Sequence, residues 1–153
     1  MEEPGQLRLT LQPDSDGTGQ LFADVSSSAF SGHGRAWFNL DDLDHFAEQL
    51  TAFPLSAESP VCLEGGYWSN DNRGTLEQVH LSIRIYPIGS KGQVGARIHV
   101  ADCLESRDRR ESQNQATVEL KTSYAALESF ARDIRRLRTS DANEAILHEE
   151  TLL

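Results

Sequence analysis

The chain has 153 residues, of which 38% are hydrophobic and 25% are charged. A chain of this length and composition is typical of one globular domain with its own buried core. The net charge of −10 excludes binding modes that depend on Lys and Arg to neutralise phosphates, so we expect neither nucleic acid nor an anionic membrane surface as a partner.

Two further features concern the compartment. No apolar run approaches the roughly 18–20 residues that a membrane helix needs, and the acidic start, residues 1–6, is the opposite of a signal peptide. Cys62 and Cys103 lie in apolar runs, so we expect small core residues in a reducing compartment and not a disulfide. The sequence therefore predicts a cytoplasmic protein.

The first part of the chain alternates apolar and polar residues with a period of two, which is typical of strands with one buried face. We predict three strands here, over residues 7–11, 21–25 and about 30–38. In the third strand, Gly32 and Gly34 indicate either a bulge or a close approach of another backbone segment.

A first amphipathic helix follows directly. Asn39 is placed to cap it, and the acidic residues at 41, 42 and 44 stabilise the positive end of the helix dipole. Steps of three and four residues put six apolar side chains on one face: Leu40, Leu43, Phe46, Ala47, Leu50 and Phe53. Pro54 then ends the helix.

The middle of the chain predicts four more strands, over residues 61–68, 75–86, 93–104 and 116–121. The second and third of these form a hairpin with one apolar face. The polar segment 105–115 indicates an exposed connection.

A second helix starts near Ser123 and repeats the apolar pattern of the first, with Leu127, Phe130, Ala131, Ile134 and Leu137 on one face. The two similar patterns indicate either a duplicated strand–helix unit or two independent solutions to covering a sheet. For residues 139–153 we predict a short helix or a loose C-terminal tail.

Together these elements predict a single α+β domain over residues 1–153. We expect an antiparallel sheet of about six to seven strands, with the two amphipathic helices packed on one face of it.

None of the common catalytic or cofactor-binding motifs occurs in the chain. His80 and His99 lie on adjacent strands of the predicted hairpin, but Arg84 and Arg97 on the same face repel a cation. We therefore predict no metal site, no cofactor and no catalytic residue.

The residues that can bind a partner fall into groups. The first is the hairpin face opposite the apolar stripe, which carries His80, Arg84, Tyr86, Arg97 and His99. Arg and Tyr are enriched where interfaces gain their energy. A homodimer through this open face is one expectation, and an ordinary solvated sheet face is the alternative.

The second group lies in the segment 65–74, where Tyr67, Trp68, Asp71 and Arg73 stand among Gly, Ser and Asn residues. Aromatic side chains beside flexible, hydrogen-bonding residues are typical of a binding edge. The alternative is that the aromatic residues anchor a hairpin to the core.

One order of features resembles a known group of proteins: a Ser/Gly-rich strand that ends in aromatics, a capped helix, several strands and a final helix. The strand and helix are Phe30-Ser-Gly-His-Gly-Arg-Ala-Trp37-Phe38-Asn39-Leu40-Asp41-Asp42-Leu43-Asp44-His45-Phe46-Ala47, and the final helix contains Leu127-Glu-Ser-Phe130-Ala131. This pattern resembles small bacterial domains that include immunity proteins of polymorphic toxin systems and families without an assigned function. The matching residues are mainly structural, so the resemblance assigns no catalytic or binding residue.

The resemblance implies a non-enzymatic inhibitor that binds a cognate toxin. A toxin domain that degrades nucleic acid tends to be basic, and an acidic protein associates quickly with such a partner by electrostatic steering. Asp41 and Asp44 at the start of the first helix form a third candidate contact. Two other functions stay open: a ligand-binding or regulatory module and, ranked last, a small enzyme with scattered carboxylates.

Overall fold

The computed structural model describes residues 4–70 and 74–150. Three antiparallel strands come first, β1 (Gln6–Pro13), β2 (Thr18–Ser27) and β3 (Phe30–Asn39), followed by helix α1 (Leu40–Gln49). The chain continues with β4 (Val61–Trp68), β5 (Leu76–Ile88), β6 (Gln93–Ala101), β7 (Gln115–Ser123), helix α2 (Tyr124–Arg138) and β8 (Ala145–His148). One turn of 3-10 helix, Arg110–Ser112, lies between β6 and β7.

The strands form two antiparallel sheets of four strands each. The first sheet has the order β3-β2-β1-β8 and the second has the order β4-β5-β6-β7. The α+β class and the presence of two helices are confirmed, but the expectation of one sheet with six to seven strands is wrong. Helix α1 also ends before Phe53, which is exposed and not part of the buried stripe. Alternation with a period of two identifies a strand and its buried face, yet it does not say which strands pair. Here α1 and the segment after it carry the chain from the first sheet to the second.

Each helix contacts strands of both sheets. Helix α1 contacts β3 and β4, and helix α2 contacts β1, β7 and β8. The helices also pack against each other, and their apolar stripes contribute Phe46 and Phe130 to the largest fully buried side chains. The helices therefore cover the junction of two sheets and not one face of a single sheet.

The last strand lies in the segment for which we expected a short helix or a loose tail. In β8, Ala145 and Leu147 are fully buried and pair with Leu9 and Leu7 of β1. Buried residues two positions apart are typical of a strand. This strand has only four residues and polar neighbours, so its alternation is too short to distinguish a strand from a helix or a tail in the sequence. The expectation for this segment is corrected accordingly.

Strand β3 runs across the second sheet and contacts all four of its strands. A Cβ atom on Gly32 would lie 2.8 Å from Cβ of Ala116 in β7, and one on Gly34 would lie 2.9 Å from Cβ of Val100 in β6. Further along, a Cβ atom on Gly65 of β4 would lie 2.8 Å from Cβ of Ala36. The glycines of β3 therefore serve the close backbone approach that the sequence indicated as one alternative.

The start of α1 is tied to the turn between β1 and β2. Asn39 holds the N-cap position without a side-chain capping bond in the described part of the chain. The Leu40 amide donates instead to the Gly17 carbonyl at 2.9 Å. In α2 a side-chain cap is present, since the Ser123 hydroxyl accepts from the Ala126 amide at 3.1 Å. The bond to Gly17 fixes the β1–β2 turn beside the first turn of α1.

Candidate functional site

Four elements meet around an open cleft of about 600 Å³. They are the β1–β2 turn, the end of β3, the first turn of α1 and the end of β4. We call this cleft the acidic aromatic groove and define it by Asp14, Asp16, Trp37, Asp42 and Trp68. The Leu40–Gly17 bond and the passage of β3 over β4 bring these elements together, although their residues lie far apart in the sequence.

Both tryptophans of the chain line the groove, and both are half-exposed. Trp37 is 54% exposed and Trp68 is 51% exposed. Several large apolar side chains exposed in one patch mark an interaction surface, whereas a single exposed apolar side chain is ordinary. Indole is also the aromatic ring that attracts a cation most strongly.

Within residues 4–70 and 74–150, the acidic residues of the groove form no ion pair with a cationic side chain. Asp16 accepts from the Thr18 hydroxyl at 2.6 Å and from the Thr18 amide at 3.0 Å, and the hydroxyl bond is the main cause that lowers the pKa of Asp16. Asp14 accepts from the Ser15 amide at 2.7 Å. None of the ion pairs formed between residues 4–70 and 74–150 involves Asp14, Asp16 or Asp42. Their negative charge is therefore available to a partner.

The predicted binding edge at the end of β4 divides between two sides of the strand. Trp68 lines the groove, whereas Tyr67 packs edge-on against His80 with ring centroids 4.6 Å apart and donates to Glu105 at 2.7 Å. Tyr67 therefore anchors the strand, whereas Trp68 is exposed at the groove. Of the two alternatives that the sequence left open, the structural anchor applies to Tyr67 and the exposed binding edge applies to Trp68. Two further candidates of this edge, Asp71 and Arg73, lie outside the described residues.

The two acidic candidates of α1 do not line the groove; Asp42 does. Asp44 points to the other helix, where its carboxylate lies 3.5 Å from Nε of Arg138. Asp41 is exposed in the first turn of α1. The acidic start of the helix therefore contributes to the groove through one residue.

The outer face of the second sheet is the other candidate surface. In the strand register, Cys62, Arg84, Arg97 and Glu119 lie opposite one another in a single row across all four strands. The next row contains His99, which shares a hydrogen bond of 2.8 Å with the Thr117 hydroxyl. Burial and the neighbouring Arg97 lower the pKa of His99. Arg84, Arg97 and His99 therefore share one open face, as predicted.

Tyr86 belongs to the same face and is held flat on it. Its ring lies over Gly95, where an added Cβ would come within 2.7 Å of the ring, and its hydroxyl donates to Glu119. Burial and the bond to Glu119 raise the pKa of Tyr86 to about 12. The outer face thus combines a cationic pair, Arg84 and Arg97, with polar groups bonded across the strands.

His80 does not share this open face, so the prediction for this residue is corrected. It is only 2% exposed. Gly65 of β4 pairs with Leu81 and Gly66 pairs with Val79, so His80 is the extra residue of a β-bulge. A bulge breaks the alternation of faces, and sequence periodicity cannot locate it.

Both cysteines are exposed, and the expectation of core residues is wrong for each. Cys62 stands on the outer face between the inward-facing Val61 and Leu63, and its thiol donates to Glu64 at 3.1 Å. Burial of its sulfur on the sheet and the bond to Glu64 raise the pKa of Cys62 to about 12. Cys103 lies beyond the last residue of β6, on the polar connection to β7.

In the described part of the chain, no three His, Cys, Asp or Glu residues lie close enough to hold a metal ion. No helix there is long and apolar enough to cross a membrane. No protein-family model, curated protein or solved structure matches the chain. A function has to be inferred from the geometry of the site itself.

Sequence reasoning did not single out Asp14, Asp16 or Trp37 as site residues, although it did include Asp42 in the acidic start of the first helix as a candidate contact. Asp14 and Asp16 belong to a Pro-Asp-Ser-Asp-Gly sequence that is typical of a turn, and Trp37 lies at the end of a predicted strand. A usable signal was present, since the turn and the helix start are both acidic. What the sequence lacked was the contact that places them beside Trp37 and Trp68.

Proposed function

We propose that the protein is a binding protein that holds a basic segment of a partner protein in the acidic aromatic groove, and that the groove acts by binding and not by catalysis. Its biological role in this proposal is that of an immunity-type inhibitor, and the partner is a basic toxin domain. The observation that carries the proposal is the juxtaposition of two half-exposed tryptophans with three carboxylates that have no cationic partner in the described part of the chain.

The chemistry of the groove suits Lys or Arg side chains. A guanidinium or ammonium group between the indole rings gains a cation–π interaction of roughly 0.5–2 kcal/mol. The carboxylates add charge-assisted hydrogen bonds. The net charge of −10 adds long-range attraction, which speeds the encounter with a basic partner.

The test uses the two tryptophans as built-in reporters, since both lie at the groove. A short Arg-rich peptide and any toxin domain encoded by a gene next to that of this protein are titrated in turn, and indole fluorescence is followed. We expect the toxin domain to bind, with an association rate that falls steeply between low and physiological salt. Trp37→Ala and Trp68→Ala should each weaken binding roughly 30-fold, as at an interface hot spot.

The chain offers a matched control. Phe53 is 77% exposed and does not line the groove, so Phe53→Ala removes an exposed aromatic ring elsewhere and should leave the affinity unchanged. If Phe53→Ala and Trp68→Ala have equal effects, or if Asp16→Asn together with Asp42→Asn leaves binding intact, the groove is not the binding surface and the proposal is overturned.

The open face of the second sheet supports a second candidate, a ligand-binding or regulatory module. Arg84 and Arg97 lie directly opposite each other, and such a like-charge pair fits an anionic ligand or the acidic surface of a second copy. Replacing both arginines by Ser should then abolish ligand binding or dimerisation while leaving toxin binding unchanged. If the variant instead keeps the same oligomeric state and ligand binding as the wild type, the groove is favoured as the binding surface.

A further inference from the structure

A cluster of reactive side chains lies beside the end of β6, away from the groove. Gln78 of β5 anchors it. Its amide nitrogen donates to the Leu104 carbonyl at 3.0 Å, and its amide oxygen accepts from the Leu104 amide at 2.7 Å. A backbone amide requires an acceptor and a carbonyl requires a donor. The two bonds therefore fix which end of the Gln78 side chain is oxygen.

The orientation of Gln78 determines the proton position on His80. Nε2 of His80 lies 2.6 Å from the same Gln78 oxygen, which can only accept, so Nε2 carries the proton. In a neutral ring, Nδ1 is then unprotonated and has a free lone pair. Burial lowers the pKa of His80, which keeps the ring neutral near pH 7.

The free nitrogen faces a thiol. Sγ of Cys103 lies 3.5 Å from Nδ1 of His80, within reach of an S–H donor. The backbone of the next residue, Leu104, is clamped by Gln78, so the same side chain orients the histidine and positions the cysteine. A nucleophile, a base and a group that orients the base are the three parts of an activated nucleophile.

The thiol is open to solvent, whereas its base is not. Cys103 is exposed and lines a cleft of about 800 Å³, whose other walls are both apolar and polar and include Phe22, Leu104, Arg35, Asp102 and Asp108. This volume lies in the range of small-molecule sites. His80 is buried behind the thiol and covered by the ring of Tyr67. Water therefore reaches the sulfur but not the base.

We propose that Cys103 is a nucleophilic thiol with His80 as its general base and Gln78 as the residue that positions His80, and that it accepts small acyl groups from activated esters or thioesters. This activity is independent of the acidic aromatic groove.

In the first step the Cys103 sulfur attacks the acyl carbonyl carbon while Nδ1 of His80 takes the thiol proton. The bond from the carbonyl carbon to the leaving alkoxide or thiolate breaks, and His80 returns the proton to that group. The product is a thioester on Cys103. In the second step water attacks the thioester, and a carboxylic acid and the free thiol result, so the atoms balance without any redox partner.

The chain contains its own reference thiol for the test. Cys62 is also exposed, but it is bonded to Glu64 and its pKa is about 12. The folded protein is treated with p-nitrophenyl acetate and, separately, with iodoacetamide, and modification at each cysteine is followed by peptide mass spectrometry. We expect acetylation and alkylation of Cys103 to be roughly 100-fold faster than those of Cys62. Equal rates at both cysteines, or no acetyl-Cys103, overturn the proposal.

Two variants distinguish general-base catalysis by His80 from reactivity that is due only to the solvent exposure of Cys103. His80→Gln should slow acetylation of Cys103 roughly 100-fold without changing Cys62. Because His80 is buried and this variant can fail to fold, Gln78→Glu provides a second test. The new carboxylate keeps the acceptor for Nε2 and holds the proton of the imidazolium more tightly, so the acid limb of the pH–rate profile of Cys103 should move to higher pH.

The other polar groups around His80 are those of Glu105, Tyr67 and Cys103 itself, and Gln78→Glu leaves all three in place. An unchanged pH profile in a folded Gln78→Glu variant would mean that Gln78 only holds the Leu104 backbone, and the proposed relay would be wrong. Phe53→Ala serves as the folded control with an unaltered profile.

Discussion

Tyr67 and Trp68 are consecutive residues of β4, yet the two sides of the strand that they occupy differ in how their polar groups are held. On the Tyr67 side, the phenol donates to Glu105, the ring packs on His80 and Gln78 clamps the backbone of the next loop. On the Trp68 side, an indole ring and nearby carboxylates face solvent.

The difference suggests how one strand end can serve two purposes. Groups held by several partners keep a fixed geometry, which chemistry at a single atom needs. Exposed groups without ionic partners adapt to a second molecule and gain their energy only when it binds. The following predictions test whether the two sides are separate in this way, beginning with the largest expected effect.

Gly66 supports both sides at once. A Cβ atom there would lie 1.9 Å from the Gln78 carbonyl oxygen, which is backbone and cannot move without breaking the β4–β5 pairing. We expect Gly66→Ala to lower the free energy of unfolding by about 3 kcal/mol, measured in urea. Gly89→Ala is the control, because Gly89 has a φ of 64° but no atom near its Cβ position, and it should cost about 1 kcal/mol. Equal losses would show that steric contact at Gly66 is unimportant.

The neighbouring aromatic residues should separate stability from binding. Tyr67→Phe loses the hydrogen bond to Glu105 and should cost about 1 kcal/mol of unfolding free energy, with no change in partner affinity. Trp68→Phe should change stability by less than about 0.5 kcal/mol while weakening the binding of a basic partner. Urea unfolding and a titration on the same two variants check this crossed pattern. A parallel effect of both variants on stability and affinity would contradict the separation of the two sides.

The outer face of the second sheet also holds polar groups in hydrogen bonds. Alkaline pH tests how much these groups contribute to stability. The folded protein raises the pKa of both Cys62 and Tyr86 to about 12, so folding favours their protonated forms. The resulting stability is present below about pH 9 for the thiol and about pH 10 for the phenol. It is lost as the pH rises toward 12. We expect the unfolding temperature to fall over this window, and Cys62→Ser with Tyr86→Phe to flatten the fall. An unchanged slope in that double variant would contradict the assignment.

The smallest effect is expected at the arginine pair. Because Arg84 and Arg97 lie directly opposite each other, their like charges repel, and Arg84→Ser should stabilise the protein by a few tenths of a kcal/mol at low salt. High salt should remove this gain. A loss of more than about 0.5 kcal/mol would show that the arginine side chain is held on the face by partners, as Tyr86 is.

The sequence was sufficient for the elements whose burial repeats regularly. The stripe of α2 with Phe130 and the hairpin with Ile83 and Ile98 follow simple periods, and all these residues are fully buried. The sharing of one open face by Arg84 and Arg97 follows from the same alternation. Periodicity fails where a bulge intervenes, which is why His80 is buried and was expected to be exposed.

The sequence was insufficient for everything that depends on pairing between distant segments. The division into two sheets, the position of β8 and the meeting of Trp37 with Trp68 are set by which surfaces pack together, not by local pattern. Gly32 and Gly34 did indicate that another segment comes close to β3. Nothing in their spacing identified that segment as the second sheet.

The pairing of β1 with β8 has a consequence for synthesis on the ribosome. Leu7 and Leu147 belong to the first and last strands of the described chain and face each other in one sheet. At translation rates of about 5–20 residues per second, β1 emerges roughly 7–28 s before β8 exists. During this interval one edge of β1 is unpaired and open to other chains or to chaperones. The first sheet is therefore completed only after every other strand of the described chain has been synthesised.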